Sequence, residues 1–172
     1  SDLYSDAEFV ALYCNDTLIG KKRTKKFRAI FKLPYRPGTL KAVALDKSGN
    51  ALGKTTLQTA GQKTRLHFAP EKTTLRADGQ SLCFIPITLT DEAGIWKPCA
   101  NAKVHLEIDG PAALQALGSA ATQTDETYLG SSHTTWLGRA LAVIRAGTEP
   151  GKVRVTVTAE GYEPQYVDLA VE

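Results

Sequence analysis

The sequence contains few of the residues that build metal or redox sites. Of its 172 residues only three are Cys and three are His, Met is absent, and aromatic residues make up 8%. The histidines are scattered and the cysteines show no CxxC spacing, whereas zinc and redox motifs need closely spaced ligands. The sequence therefore predicts neither a metal nor a cofactor.

The cysteines are Cys14, Cys83 and Cys99, an odd number. Free cysteines usually behave as small buried hydrophobic residues, and this is the favoured interpretation. A Cys83–Cys99 disulfide is the alternative, and the spacing of the two residues does not decide between them.

Long apolar segments are also missing. No apolar run approaches the roughly 18 residues that cross a bilayer, which excludes an integral membrane protein. The opening SDLYSDAEFV has neither a basic start nor an apolar core, so it does not have the pattern of a signal peptide. Because a strand-like pattern begins almost at once, we expect an excised fragment whose export signal lies outside it.

Charge is distributed unevenly along the chain. Residues 1–62 carry 11 Lys and Arg against 5 Asp and Glu, and residues 63–172 carry 10 against 13. Much of the positive charge lies between Lys21 and Arg28, in GKKRTKKFRAI. No aromatic stacking platform for bases is interleaved with this run, and no helical pattern would present it to a groove, so no nucleic-acid partner is expected. A solvated strand and turn is favoured, and a docking surface for an acidic neighbouring domain is the alternative.

Strand patterns recur along the whole chain at the spacing of a β-sandwich. FVALYCN is followed by Asn15-Asp16, a pair that tolerates the positive φ of a tight hairpin. Later strands alternate, with Cys83, Ile85, Ile87 and Leu89 on one face. The sequence predicts an all-β chain of two consecutive β-sandwiches, residues 1–62 and 63–172.

One segment resembles a helix in composition. PAALQALGSAA, residues 111–121, has good helix formers but follows Gly110 and is broken at Gly118. It is predicted to be a loop or a single helical turn.

Candidate catalytic groups do not combine into a site. Asp91-Glu92 and Asp125-Glu126 are adjacent pairs, and neighbouring turn residues point apart, whereas glycosidic chemistry needs two carboxylates across one bond. Ser131, Ser132 and His133 offer hydroxyls beside an imidazole but no orienting acid, and a loop is predicted there. No catalytic residue is assigned.

Three aromatic residues are candidate sugar contacts: Trp96, Tyr128 and Trp136. Exposed aromatic rings stack on sugars in carbohydrate-binding sandwiches. Their dispersal along the chain favours packing in a core or an interface, so both interpretations stay open.

Several segments together resemble two successive domains of a known family. SDAEFVALYCNDTLIG, FKLPYRPGTLKAVALD and TAG resemble an immunoglobulin-like domain of bacterial β-galactosidases of glycoside hydrolase family 2. LRADGQSLCFIPITLTDEAG, VHLEIDGP and LGRALAVIRAGTEPGKVRVTVTAEGY resemble the next domain, which is related to invasin-like repeats. Asn15-Asp16 stands where the family usually has Asn-Gly, and LGSAATQ stands where it often has a glycine turn.

The resemblance implies the non-catalytic C-terminal region of a periplasmic or secreted family 2 enzyme. The parent would be a retaining β-galactosidase, ahead of a β-glucuronidase or β-mannosidase, with its catalytic glutamates on an upstream barrel that this region contacts. No position here matches those glutamates. A carbohydrate-binding module and an adhesion or stalk protein are the alternative functions.

Overall fold

A computed structural model describes residues 1–172, and all of its regular elements are β-strands. The chain divides into two compact units, unit 1 (Ser1–Thr59) and unit 2 (Ala60–Glu172). The boundary predicted from the sequence, after residue 62, lies three residues further along the chain. The predicted all-β class is confirmed.

Unit 1 has six strands in two sheets. A four-stranded sheet of order β3-β2-β5-β6 faces a two-stranded sheet of β1 and β4, and both pair antiparallel. The strands are β1 (Asp2–Tyr4), β2 (Phe9–Cys14), β3 (Thr17–Arg23), β4 (Arg28–Ile30), β5 (Thr39–Leu45) and β6 (Ala51–Gln58).

The core of unit 1 is small. Val10, Leu12 and Ala42 from the larger sheet pack against Ala29 and Phe31. The β2–β3 hairpin turns at Asn15 and Asp16 with φ of 48° and 62°, as predicted. Strand β6 is exposed along its whole length and has a partner on one side only.

Unit 2 is a nine-stranded sandwich. One sheet has the order β12-β10-β14-β15-β8 and the other β11-β13-β9-β7. The strands are β7 (Arg65–Phe68), β8 (Thr74–Leu75), β9 (Leu82–Thr90), β10 (Lys103–Asp109), β11 (Ala112–Gly118), β12 (Ser132–Thr134), β13 (Arg139–Ala146), β14 (Gly151–Ala159) and β15 (Gln165–Val171). This two-layer architecture is what an immunoglobulin-like prediction requires.

The core of unit 2 lies between these sheets. The predicted stripe Cys83, Ile85, Ile87 and Leu89 is completely buried, which confirms the alternation read from the sequence. It packs with Val153, Val155 and Val157 from the opposite sheet and with residues of β13. Because alternate side chains of β9 and β13 point inward, the others form the outer face of the smaller sheet.

The prediction for residues 111–121 was wrong. Ala112–Gly118 form strand β11, paired antiparallel with β13 and interrupted by a bulge between Leu114 and Ala116. Good helix formers were overridden because β13 offers a complete row of hydrogen-bonding groups at the edge of the sheet.

Candidate functional site

An aromatic groove lies on the outer face of the smaller sheet of unit 2. It brings together the three aromatic residues that the sequence singled out, Trp96, Tyr128 and Trp136. Its volume is about 620 Å³, within the range of small-molecule sites. The complete lining of the aromatic groove is Trp96, Ala116, Gly118, Ser119, Ala120, Tyr128, Trp136, Leu137, Arg139, Ala140, Leu141 and Val143.

Its aromatic rings are partly exposed rather than sealed in the core. The exposed fraction is 37% for Trp96, 48% for Tyr128 and 45% for Trp136. Trp96 follows β9, Tyr128 lies between β11 and β12, and Trp136 precedes β13. The fold therefore collects residues from three separate stretches of the chain.

Neighbouring residues contact Trp96 at its indole N–H and at the face of its ring. Its indole Nε1 donates a hydrogen bond of 2.9 Å to the carbonyl of Leu137. The guanidinium of Arg139 stacks over its ring, with Cζ 3.8 Å from the ring centroid. This is a cation–π contact, which favours Trp above other rings.

A tight turn carries Trp136 and Arg139 side by side. Trp136 and Arg139 exchange backbone hydrogen bonds of 2.8 and 3.0 Å around Leu137 and Gly138. These central residues have φ of 49° and 69°, the pattern of a type I′ turn. A leucine with positive φ is strained. Such strain is often concentrated at functional sites, and here it turns the Leu137 carbonyl toward Trp96.

Tyr128 is seated by a glycine and a histidine. A Cβ on Gly118 would collide with the Tyr128 ring, so only glycine lets the ring lie against β11. The ring also stacks on His133, with centroids 5.4 Å apart and planes 14° apart. The Tyr128 carbonyl accepts a 2.8 Å hydrogen bond from the Leu117 backbone.

Glu126 ties the segment that carries Tyr128 to β12. Its carboxylate accepts hydrogen bonds from the backbone N–H and the hydroxyl of Thr134, at 2.8 and 3.0 Å. Lys103 Nζ lies 3.4 Å away. Hydrogen bonding by the Thr134 backbone is the main reason that the pKa of Glu126 is lowered.

His133 lies in strand β12, so the loop prediction for residues 131–133 was wrong at Ser132 and His133. Its imidazole is fully buried, with Nδ1 3.0 Å from the Thr134 carbonyl and Nε2 without a partner. Ser132 contacts a different histidine, His105, at 2.9 Å. The hydroxyls of this segment therefore do not pair with His133, and the Ser–His pair that does form joins Ser132 to His105.

The adjacent carboxylates separate as expected. Asp91 turns inward and accepts hydrogen bonds from the backbone of Gly61, Ala93 and Ile95 at 2.6, 2.9 and 2.8 Å. These bonds, the one from Gly61 foremost, lower the pKa of Asp91. Glu92 turns outward and pairs with Arg65 at 2.8 Å. The two carboxylates therefore serve the turn and the surface separately.

Other binding chemistry is sparse. The structure holds no group of three His, Cys, Asp or Glu side chains that could bind a metal ion. It also has no helix long and apolar enough to cross a membrane. All the cysteines are free thiols, so the disulfide alternative is not what the structure has. The favoured prediction of buried cysteines holds for Cys14 and Cys83 and is wrong for Cys99, which is exposed.

The sequence missed three residues that shape the aromatic groove. Arg139 was read only as part of a strand, Gly118 as a helix breaker and Glu126 as a loop carboxylate. A glycine within a strand often marks a place where another group approaches closely, and this is a weak signal for Gly118. Nothing local signals that Arg139 reaches Trp96, because their contact spans 43 positions of the chain, from 96 to 139.

The chain thus consists of two β-sandwiches, the second with an aromatic groove on the outer face of its smaller sheet. Residues 66–168 match the family described as glycoside hydrolase family 2 C-terminal domain 5. The chain belongs to that family. Residues 2–53 match a domain of unknown function, DUF4982.

The chain is also similar to individual family members and solved structures. The chain is 27% identical over 171 residues to the β-galactosidase BoGH2A of Bacteroides ovatus, covering 98% of this chain and 20% of that protein. It superimposes on a glycosyl hydrolase family 2 member from Bacteroides cellulosilyticus with a TM-score of 0.94 and 30% identity, covering 98% of this chain and 22% of that one. A β-glycosidase from Bacteroides vulgatus shares the fold, with a TM-score of 0.87 and 22% identity over 96% of this chain and 21% of that one. The chain thus spans about a fifth of the length of these relatives.

Proposed function

We propose that this chain is a non-catalytic accessory region of a family 2 glycoside hydrolase. The observation that carries the proposal is the family match, together with a span of 98% of this chain but only 20% of the β-galactosidase relative. The catalytic machinery would then lie in the rest of the parent. The region would supply packing surface and contacts with other parts of the enzyme or with a second copy.

The parent is proposed to be a retaining β-galactosidase exported to the periplasm or secreted. The named relative supports the β-galactosidase activity, since that protein is a β-galactosidase and its match to this chain extends over 171 residues. A retaining enzyme would use two carboxylates about 5 Å apart, one of them a nucleophile. Two of the carboxylates weighed as catalytic candidates bind partners within the chain: Glu126 binds Thr134, and Asp91 binds backbone N–H groups.

A hydrolysis assay tests the accessory role. The 172-residue chain, incubated with nitrophenyl galactoside, glucuronide and mannoside, is expected to release no nitrophenol above the rate of buffer. Turnover that survives repurification of the chain would refute the proposal. Reading the upstream coding sequence is the second test, and the absence of a barrel with two strand-end glutamates would reject the family 2 parent.

Carbohydrate binding is the second candidate, because Trp96, Tyr128 and Trp136 line one groove. Partly exposed rings around a concave apolar site are typical of small-molecule recognition. Calorimetric titration of the chain with galactosides or polysaccharides should give saturable binding, whereas a pure spacer should give none.

The aromatic groove also provides a matched mutational test. Trp136→Ala should weaken sugar binding at least about tenfold, as removal of a buried aromatic anchor does at other interfaces. Tyr166→Ala is the control, because Tyr166 is an exposed ring of unit 2 that packs under Arg154 and lies outside the groove. Equal effects of the two substitutions would argue against binding at the groove.

A further inference from the structure

Arg139 is the only charged residue that lines the aromatic groove. It begins β13, directly after the strained turn, and its side chain lies over Trp96. No Asp or Glu is among the lining residues. The groove therefore presents one positive charge in an otherwise apolar and aromatic surface.

The guanidinium of Arg139 has no partner within the chain. Its side chain donates no hydrogen bond and forms no ion pair, and its only contact of this kind is the stacking on Trp96. Each of the other arginines of unit 2 has a polar partner: Arg65 pairs with Glu92, Arg76 with Asp78, Arg145 with the carbonyl of Gly79 and Arg154 with Asp168.

Lys97, the basic residue next to Trp96 in the sequence, binds other groups of the chain. Lys97 Nζ donates to the carbonyls of Gly61 and Gln62 at 2.9 and 2.7 Å. Positive charge in the aromatic groove thus comes from Arg139 alone. A guanidinium that lies over an indole ring without a hydrogen-bond partner keeps its N–H groups free, and these match a carboxylate or a sulfate in bidentate geometry.

One further polar group at the aromatic groove lacks a partner. Ser119 is a lining residue, and its Oγ is covered without accepting or donating a hydrogen bond. Buried polar atoms are nearly always satisfied, so an orphan calls for an explanation. Rotation about a single torsion would offer this hydroxyl to a ligand.

Aromatic faces beside a free guanidinium suit a ring that is apolar on one face and anionic at its edge. A neutral sugar would use the rings but would leave Arg139 unpaired. An anionic sugar would use both, and the volume of about 620 Å³ is ample for a disaccharide by comparison with ordinary ligand sites.

We propose that the aromatic groove binds a sugar that carries a carboxylate or a sulfate, with Arg139 pairing with that anion while the aromatic rings contact the sugar ring. This rests on the carbohydrate-binding function proposed above and adds the chemical class of the ligand. The contact with Trp96 holds the guanidinium in place before the ligand arrives, which reduces the entropy lost on binding.

The test uses the 172-residue chain and three disaccharide probes of equal size. One ends in glucuronic acid, one in a sulfated galactose and one in unmodified galactose. Calorimetry should show that at least one anionic probe binds about 10- to 100-fold more tightly than the neutral probe, as expected for hydrogen bonds to a charged group. The probe that binds more tightly distinguishes the uronic acid from the sulfate ester.

Substitutions of arginine locate the effect. Arg139→Gln should abolish the preference for the anion, so that the anionic and the neutral probes bind with equal affinity. Arg139→Lys, which keeps the charge and loses the planar fork, should retain part of the preference. Arg145→Gln is the matched control, because Arg145 lies on the same strand outside the groove and should leave all three affinities unchanged.

Each contrary result has a distinct meaning. Equal affinity of the wild-type chain for neutral and anionic probes would overturn the anionic class and leave carbohydrate binding standing. A preference for the anion that survives Arg139→Gln would overturn the role of Arg139. No saturable binding of any probe would overturn both this inference and the carbohydrate-binding function.

Discussion

Both carboxylate oxygens of Glu126 bind one residue, Thr134, the first through its backbone N–H at 2.8 Å and the second through its hydroxyl at 3.0 Å. The pair closes the segment between β11 and β12 over the end of β12. Tyr128 lies only two positions beyond Glu126, so the same tether positions its ring at the aromatic groove.

Glu126→Gln should loosen this segment. A neutral amide replaces a charge-assisted acceptor and puts an NH₂ group where one oxygen accepted a hydrogen bond, so we expect a loss of about 1–2 kcal/mol in the free energy of unfolding. Urea unfolding at neutral pH measures it. Asp125→Asn serves as the control, since the exposed Asp125 side chain makes no hydrogen bond or ion pair. Equal losses in both variants would contradict the role of the tether.

Gly118→Ala should displace Tyr128. The added Cβ meets the ring of Tyr128, which must move or force β11 to shift, and overpacking of this kind costs about 1–3 kcal/mol. Unfolding of the variant and titration with a sugar probe should both be affected. Gly53→Ala has open space around the added Cβ and should be close to neutral or slightly stabilising. Unchanged unfolding and binding in Gly118→Ala would show that the ring is free to relocate.

Asp91→Asn should reduce stability in a pH-dependent manner. Because hydrogen bonds from the Gly61 backbone and its neighbours lower the pKa of Asp91 in the folded chain, its contribution is present above the unfolded pKa of about 4 and is lost as pH falls through the folded pKa. The gap between the urea midpoints of wild type and Asp91→Asn should therefore be wide at pH 7 and shrink on acidification. Glu92→Gln, which removes exposed ion pairs with Arg65 and Lys63, should show a small gap. If the difference between the two urea midpoints widened at low pH, the assignment of a lowered pKa to Asp91 in the folded chain would be wrong.

Thiol accessibility should differ sharply among the cysteines. Cys99 is exposed, whereas Cys14 and Cys83 are buried, and burial raises the pKa of the Cys83 thiol. A disulfide reagent should modify Cys99 rapidly in the native chain and all the cysteines only after denaturation. Cys99→Ser should eliminate the fast phase. A persistent fast phase in that variant would mean that a buried thiol becomes exposed in the native state.

The sequence predicted the strands where one face is buried. Cys83, Ile85 and Ile87 alternate with exposed residues because the two sides of β9 meet different surroundings, and this alternation is visible locally. Strand β11 was missed because its composition favours a helix and only pairing with β13, far along the chain, overrides it. A local sequence pattern indicates which face of a strand is buried. It does not indicate which strand of a sheet has an unpaired edge.

The aromatic groove was predictable in part. Trp96, Tyr128 and Trp136 could be named from residue type, but their convergence depends on how three connections meet at one end of a sheet. The role of Arg139 could not be predicted from the sequence, because the sequence does not show which side chains lack a hydrogen-bond partner once the chain is folded. Glu126 shows the same limit, since a carboxylate in a polar segment gives no sign of its partner.

The four-stranded sheet of unit 1 has two unlike borders. At one border, β3 carries Lys21, Lys22 and Arg23, half of the basic run, and these side chains are exposed. At the other, β6 is exposed throughout and has a single lysine, Lys54. Like charges along a strand border repel a second copy of the same strand. We therefore expect the basic run to disfavour pairing of β3 with β3 of a second copy, a role that requires no ligand.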